Sequence, residues 1–423
     1  MPLRSKAPKI QEINSLSIPL PTIYRLDNGI PVYILNMGTQ EVVKLEAVFW
    51  AGRPYERQPL VARACAQLLK EGTHRHSSAS IAEQIDFYGG SFSTPIDLDT
   101  TNFVLYSLHK HFDQLLPLFA EILCQPTFPE EELITYRQNN QQRLQVELSK
   151  NDVIAYRKIT ELIFGQKHPY GYNSFPETYD QLRRSDLIEH HQRCYVDGNC
   201  ALFVSGRVND AIIRQINQQL GQQMPKGTRA EASFPKVEAK PERWRKQNPN
   251  SVQTAIRIGR RLFNRKHPDY PAFFVLNNIF GGYFGSRLMA NIRENKGYTY
   301  NIFSTTDSMH EDGYFYIGTE VGNDFVNLTL EEIYKEMKQL RETLVSKEEL
   351  KMVRNYLLGT LLTTLDGPFN IADLVRKYTL RDIPFAAFDE LVETIKNIDP
   401  HQLQALAIKY LDAEEMWEVV VGA

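Results

Sequence analysis

The sequence predicts an α+β fold of two homologous halves, each an antiparallel sheet covered by helices. Three observations carry this prediction. Runs with strand spacing alternate with helical stretches in an order that recurs in the second half. Each half closes on a strand ending at glycine, Gly206 and Gly422. A tract rich in proline and charge, 223–249, lies between them. The halves are placed at 1–222 and 250–423, with 223–249 as a linker of some extended structure, because Pro225, Pro235, Pro241 and Pro249 oppose regular elements there.

The first half opens after the turn Asp27-Asn28-Gly29 with strand-like runs at Ile30–Leu35 and Val42–Trp50. Apolar residues at Leu60, Val61, Ala64, Cys65, Leu68 and Leu69 repeat with the period of a buried helix face, so a helix is expected over Leu60–Lys70, stopped by Gly72. Ser80 and Glu83 have capping-box spacing for a helix to Tyr88, which Gly89-Gly90 ends. Strands at Ser91–Thr94 and Thr101–Leu108 follow, then a helix from His111 to Leu123 and one long helix from Pro129 to about Ile163. Ser185 is expected to cap a helix through Tyr195, before a last strand at Ala201–Ser205.

The second half repeats the plan. A strand at Thr254–Gly259 precedes helices at Tyr270–Phe280 and Ser286–Asn295, then strands at Tyr298–Thr305 and Tyr314–Glu320. Helices at Phe325–Leu344 and Lys347–Leu362 come next, with a final helix from Asp399-Pro400 to Leu411 and a strand at Trp417–Val421.

With 42% hydrophobic residues, 23% charged residues and a net charge of -3, the chain is globular and lacks the basic excess that attracts nucleic acid. No apolar run is long enough to span a bilayer, and the start, Met1 to Pro8, has no apolar signal core, so a cytoplasmic protein without a membrane partner is expected. The four cysteines, Cys65, Cys124, Cys194 and Cys200, form no C-x-x-C pair and read as buried thiols in a reducing compartment.

Motifs for other chemistries are missing. The histidine pairs His74/His76, His109/His111 and His190/His191 have no acidic or cysteine partner at ligand spacing. No G-x-S-x-G elbow precedes a helix. Gly281, Gly282 and Gly285 are not followed by Gly-Lys-Ser/Thr, so close helix packing or a turn explains them better than phosphate binding.

The element order, with the strings Tyr24–Gly29, Phe49–Arg53, Leu69–Thr73, His168–Gly171, Gly281-Gly282 through Ser286-Arg287-Leu288, and Ile292–Tyr300, resembles the insulinase-like (pitrilysin) metallopeptidases. The resemblance spans nearly the whole chain and implies halves that face each other in a clam-shell. Active members carry an inverted zinc motif, H-x-x-E-H, on the helix before a K-G-T string, and a glutamate ligand downstream. Histidines four apart share a helix face, and the glutamate acts as base on zinc-bound water. Counting back from Gly72-Thr73, this chain has Arg63 and Gln67 at the histidine positions and Ala66 at the base. The downstream ligand position falls near Leu144; Glu147, one turn on, reads as solvated or cap-bonded. Arginine repels a cation, glutamine is a poor zinc ligand and alanine takes no proton. The resemblance thus implies a degenerate zinc site, with no metal in this chain.

In that family the second half supplies an arginine and a tyrosine seven residues apart that hold the scissile peptide and its developing oxyanion. Arg293 and Tyr300 match that spacing, with Arg293 expected at a helix end and Tyr300 on the following strand. The plain alternative pairs Arg293 with Glu294 or solvent and packs Tyr300 in the sheet. The strand after Gly89-Gly90 resembles the family's substrate-binding edge, which makes Ser91, Phe92, Ser93 and Thr94 candidate peptide contacts, although Ser93 stands where asparagine is usual. Two functions follow. The chain is either the non-zinc subunit of a heterodimeric peptidase whose homologous partner brings the zinc, or a non-enzymatic, homodimeric peptide-binding or scaffold protein. An independent zinc peptidase using other ligands is the remaining alternative.

Overall fold

The computed structural model describes residue 13 and residues 15–422; the N-terminal stretch Met1 to Pro8, read above for targeting, lies outside them. The first half runs β1 (Thr22–Arg25), β2 (Pro31–Asn36), β3 (Val42–Phe49), α1 (Val61–Leu68), α2 (Ser78–Phe87), β4 (Ser91–Ser93), β5 (Thr101–Leu108), α3 (Phe112–Cys124), α4 (Glu130–Glu147), α5 (Asn151–Phe164), α6 (Arg184–Cys194), β6 (Cys200–Gly206) and α7 (Asp210–Ile216). The second runs β7 (Arg243–Gln247), β8 (Gln253–Leu262), α8 (Tyr270–Asn277), β9 (Ile302–Ser308), β10 (Gly313–Gly322), α9 (Val326–Glu342), α10 (Lys347–Thr364), α11 (Pro368–Leu380), α12 (Ala386–Asn397), α13 (Pro400–Tyr410) and β11 (Trp417–Gly422). Two π-helical turns, Asn278–Gly282 and Met289–Asn295, sit between α8 and β9.

The sheets share one topology. Their strand orders are β1-β2-β6-β3-β5-β4 and β7-β11-β8-β10-β9, so β2, β6, β3, β5 and β4 match β7, β11, β8, β10 and β9 in turn. Both are antiparallel except for one parallel pair each, β2 with β6 and β7 with β11. That pair joins the strand that opens each half to the strand that closes it, and a connection through the whole half leaves room for a parallel return.

Alternation in the strands explains how the halves lock together. Val43, Leu45, Ala47 and Phe49 of β3 pack with the first half's own helices in one core. The opposite face of that sheet, with Val48, Ala201 and Phe203, joins a core with Ile371, Ala372 and Val375 of α11 from the other half. The second sheet reciprocates: Ala255, Val419 and Val421 pack on Ala155, Ile159 and Ile163 of α5, a first-half helix. Each half therefore lends one helix to the other half's sheet. Buried charges mark both exchanges. Lys44 Nζ lies 2.7 Å from Asp373 and Arg376 Nε 3.0 Å from Glu46, while Arg257 pairs with Asp152 at 3.5 Å.

Several expectations are corrected. The single long helix from Pro129 breaks at residues 148–150, where the Ser149 hydroxyl donates to the Val146 carbonyl and α5 turns off toward the other sheet. The α2 cap is Ser77, which accepts from the Ser80 amide, and α6 starts at Arg184, after the Arg183 amide donates to Asp186 at 3.0 Å. The expected linker ends inside the second sheet as β7, and the part before it is strapped down, with the Ser233 amide donating to the Pro54 carbonyl at 2.8 Å. Helices α7, α11 and α12 fill stretches to which spacing assigned nothing. Cys65, Cys194 and Cys200 are buried, and all four thiols are free. Gly281 packs so closely that a side chain there would meet the Ser304 amide at 2.6 Å, which agrees with the packing reading of that glycine cluster. No helix among the described residues is long and apolar enough to cross a membrane.

Candidate functional site

Helix α1 lines a cavity of about 510 Å³, within the size range of small-molecule sites. Arg63 and Gln67, one helical turn apart, both line it, and Leu144 of α4 faces them. The residues that counting sets at two histidine positions and near a glutamate position therefore line one cavity. Ala66 is fully buried. Glu147 lies outside this wall and pairs with Lys150 at 2.8 Å, and that hydrogen bond holds its carboxyl below the usual range.

The residues present do not fit zinc. A guanidinium, a carboxamide and an isobutyl group offer no anionic or imidazole ligand. Among the described residues no three His, Cys, Asp or Glu side chains gather at metal-binding distance. His190 and His191 donate from Nε2 to the Ala51 and Leu123 carbonyls at 3.1 and 2.8 Å, and burial holds both at about 4, so they are neutral packing groups.

Spacing missed the polar half of the cavity. Arg53, Glu56, Arg157 and Tyr172 line it, from segments far apart in the chain. Glu56 stands in for a missing cap on α1: its Oε1 accepts the Ala62 amide at 3.0 Å, and the Tyr172 hydroxyl donates to its Oε2 at 2.7 Å. The residue keeps some exposure, but its carboxyl is packed away from water, and burial lifts its pKa to about 7 against the pull of Tyr172 and Arg53. The Arg53 guanidinium lies 4.4 Å over the Tyr172 ring and donates to the Tyr172 carbonyl at 3.2 Å. Arg157 donates to the Ser174 carbonyl, and burial, with Arg53 close by, lowers its pKa. The available signals were local ones, since Arg53 ends the Phe49–Arg53 string and Tyr172 follows His168–Gly171 directly.

Strand β4 is the edge of the first sheet, as expected for a peptide-binding strand. Its side chains divide. Ser91 and Ser93 are exposed, Thr94 lines the α1 cavity, and Phe92 turns inward against Phe103 and Phe119, at ring-centre distances of 5.7 and 5.8 Å. Phe92 is thus partly buried against the core, with part of its ring lining a surface pocket beside Ser91 and Gly90.

Arg293 and Tyr300 lie elsewhere, and neither lines the cavity. Arg293 sits in the π-helical turn Met289–Asn295, pairs with Glu294 at 2.7 Å and stacks 4.6 Å over the ring of Phe284, itself 65% exposed. Tyr300 was expected on a strand, but β9 begins only at Ile302. Gly297, at φ +69°, turns the chain after the helix, and Tyr300 falls on a bend. It is 89% exposed and makes no hydrogen bond or ring contact among the described residues, so it does not pack in the sheet.

Fold and cavity together define a metallopeptidase scaffold whose ligand positions hold other residues. The sequence pattern of Insulinase (Peptidase family M16) matches residues 38–169, and that of the Peptidase M16 inactive domain matches residues 181–357. The chain belongs to this insulinase-like family and lacks its zinc motif. It is similar to the uncharacterized zinc protease YmxG of Bacillus subtilis, at 21% identity over 91% of this chain and 94% of that one. It is also similar to the non-peptidase homolog YmxG of Helicobacter pylori, at 22% identity over 85% and 81%. A crystal structure of a peptidase M16 inactive domain from Pseudomonas fluorescens superposes with a TM-score of 0.88 at 23% identity, over 95% of this chain and 98% of that one.

Proposed function

We propose that this chain is the non-zinc subunit of a two-chain peptidase and lends Arg293 and Tyr300 to a homologous partner that carries H-x-x-E-H and the zinc. The observation that carries this reading is the exposure of both donors: Tyr300 is 89% exposed with no hydrogen bond or ring contact among the described residues, and Arg293, seven residues earlier, is stacked on an exposed phenylalanine. A phenol and a guanidinium are donors suited to the oxygen of a peptide carbonyl as it gains charge. The partner's zinc would activate the attacking water. The Helicobacter relative described as a non-peptidase homolog supports a non-catalytic chain. Four free thiols fit work in the cytoplasm.

The test mixes the purified chain with a homologue bearing the zinc motif and follows a quenched peptide. Cleavage should need both chains and fall roughly 100-fold or more with Arg293→Ala. An unchanged rate in that variant would sink the proposal. A mixture no faster than the partner alone, with this chain dimeric by itself, would favour the homodimeric scaffold instead.

A further inference from the structure

The cavity at α1 has lost a metal site without becoming filled. Its volume is about 510 Å³, and its wall carries three guanidinium groups, Arg53, Arg63 and Arg157. Two carboxyls share that wall, and both are engaged. Glu56 is tied to Tyr172 and the Ala62 amide, and Asp97 accepts the Leu98 amide at 2.7 Å and pairs with Arg381 at 3.4 Å. Arg53 and Arg157 spend part of their donor capacity on the Tyr172 and Ser174 carbonyls. Arg63 spends none: it is exposed and makes no hydrogen bond or ion pair among the described residues, and the Gln67 amide beside it is equally unpartnered. Excess positive charge, with a planar fork of donors that no described protein group occupies, in a concave site, matches a carboxylate better than any cation or neutral group.

The surroundings narrow the source of that carboxylate. Thr94, in the cavity wall, directly follows β4, whose outer backbone edge is unpaired. A peptide adding parallel to β4 runs its C-terminus toward Thr94 and hence into the cavity, where Leu98 and Leu144 offer apolar contact to a last side chain. We propose that the vacated metal position is a binding pocket for the C-terminal carboxylate of an extended peptide, with Arg63 as its principal contact and Gln67 beside it. The inference concerns this chain alone and does not depend on a zinc-bearing partner.

The test uses the full chain by itself and two probes, an N-acetylated pentapeptide ending in leucine as the free acid and as the amide, followed by calorimetry. The acid should bind roughly tenfold tighter or more, since a charge-assisted pair with the guanidinium is lost in the amide. Arg63→Gln should erase that preference, and so should Gln67→Glu, which sets a negative charge in the wall; unchanged urea midpoints show that each variant is folded. Equal affinity for the two probes, binding of neither, or a preference that survives Arg63→Gln would overturn the proposal. Inorganic phosphate and acetate form a third arm. Weak competition agrees with a peptide site, whereas phosphate that displaces the acid peptide at equal concentration shows a general anion site and overturns the assignment. No cleavage is read, so failure here leaves the two-chain reading standing, and failure of the mixing experiment leaves this one standing.

Discussion

The α1 cavity and the Arg293–Tyr300 surface each centre on an arginine in a helical segment, yet their surroundings differ. Arg63 stands in a concave site backed by Glu56, Tyr172 and two further arginines, while Arg293 lies over the exposed ring of Phe284 and Tyr300 is itself almost fully exposed. The cavity is lined by one chain, and its described lining offers no zinc-ligand set. The surface has suitable donors but nothing of its own to act on. The difference teaches that a few side chains remove a zinc motif while the scaffold persists: α1 and α4 still bring positions 63, 67 and 144 into one wall.

The strongest way to break the comparison is to reverse those side chains. A variant with Arg63→His, Ala66→Glu, Gln67→His and Leu144→Glu should go from no zinc uptake to about one zinc per chain, because two imidazoles and a carboxylate form a zinc ligand set with an open position. Metal analysis after dialysis checks this. No uptake by a folded variant would show that the cavity walls have also moved away from metal-binding geometry.

A smaller effect separates the cavity from the surface by pH. Glu56 titrates near 7 in the folded chain against an ordinary 4.5, so the folded form holds the proton more tightly. Its contribution is present below about pH 4.5 and lost as pH rises through about 7. Urea melts near pH 5 and near pH 8 should show the stability gap between the native chain and Glu56→Gln shifting by about 2–3 kcal/mol in favour of the variant at the higher pH. His190 and His191, held near 4, act in the opposite sense: the stability they confer is present above about pH 6.5 and lost as pH falls through about 4. They act in both proteins and cancel in the gap. A gap that does not move with pH would contradict the buried carboxyl.

The smallest effects belong to the surface. Tyr300→Ala should change the stability of the lone chain by less than about 0.5 kcal/mol, since the side chain is 89% exposed and makes no hydrogen bond or ring contact among the described residues. Glu147→Gln should leave both the urea midpoint and peptide binding unchanged, because its partner Lys150 is solvated too. A large loss in either would mean that these residues have contacts in solution that the structure does not show.

Much of this was readable from the sequence where local rules govern. The strands β3, β5, β6 and β8 and the helices α1, α3 and α10 came from apolar period and stop signals, and counting along one helix placed Arg63 and Gln67 on one face. What escaped depends on distant parts. The break between α4 and α5 has no proline or glycine to mark it, and its purpose, to cross to the other sheet, is tertiary. Pro368 sits in the first turn of α11, a start signal, but the polar pair Asp373 and Arg376 blurs its apolar face because both meet buried charges on β3. Phe92 reads as a substrate contact by its place on an edge strand, yet alternation turns it inward. Arg53, Glu56, Arg157 and Tyr172 meet only once the chain is folded, so no spacing rule could join them.

The central claim, a family member without its own metal chemistry, is tested most directly by loading the lone chain with zinc, dialysing it, and measuring bound metal alongside hydrolysis of a quenched peptide. The account predicts neither stoichiometric zinc nor cleavage. One zinc per chain with zinc-dependent cleavage, both unaffected by Arg63→Gln, would contradict it and point to a metal site built from other residues.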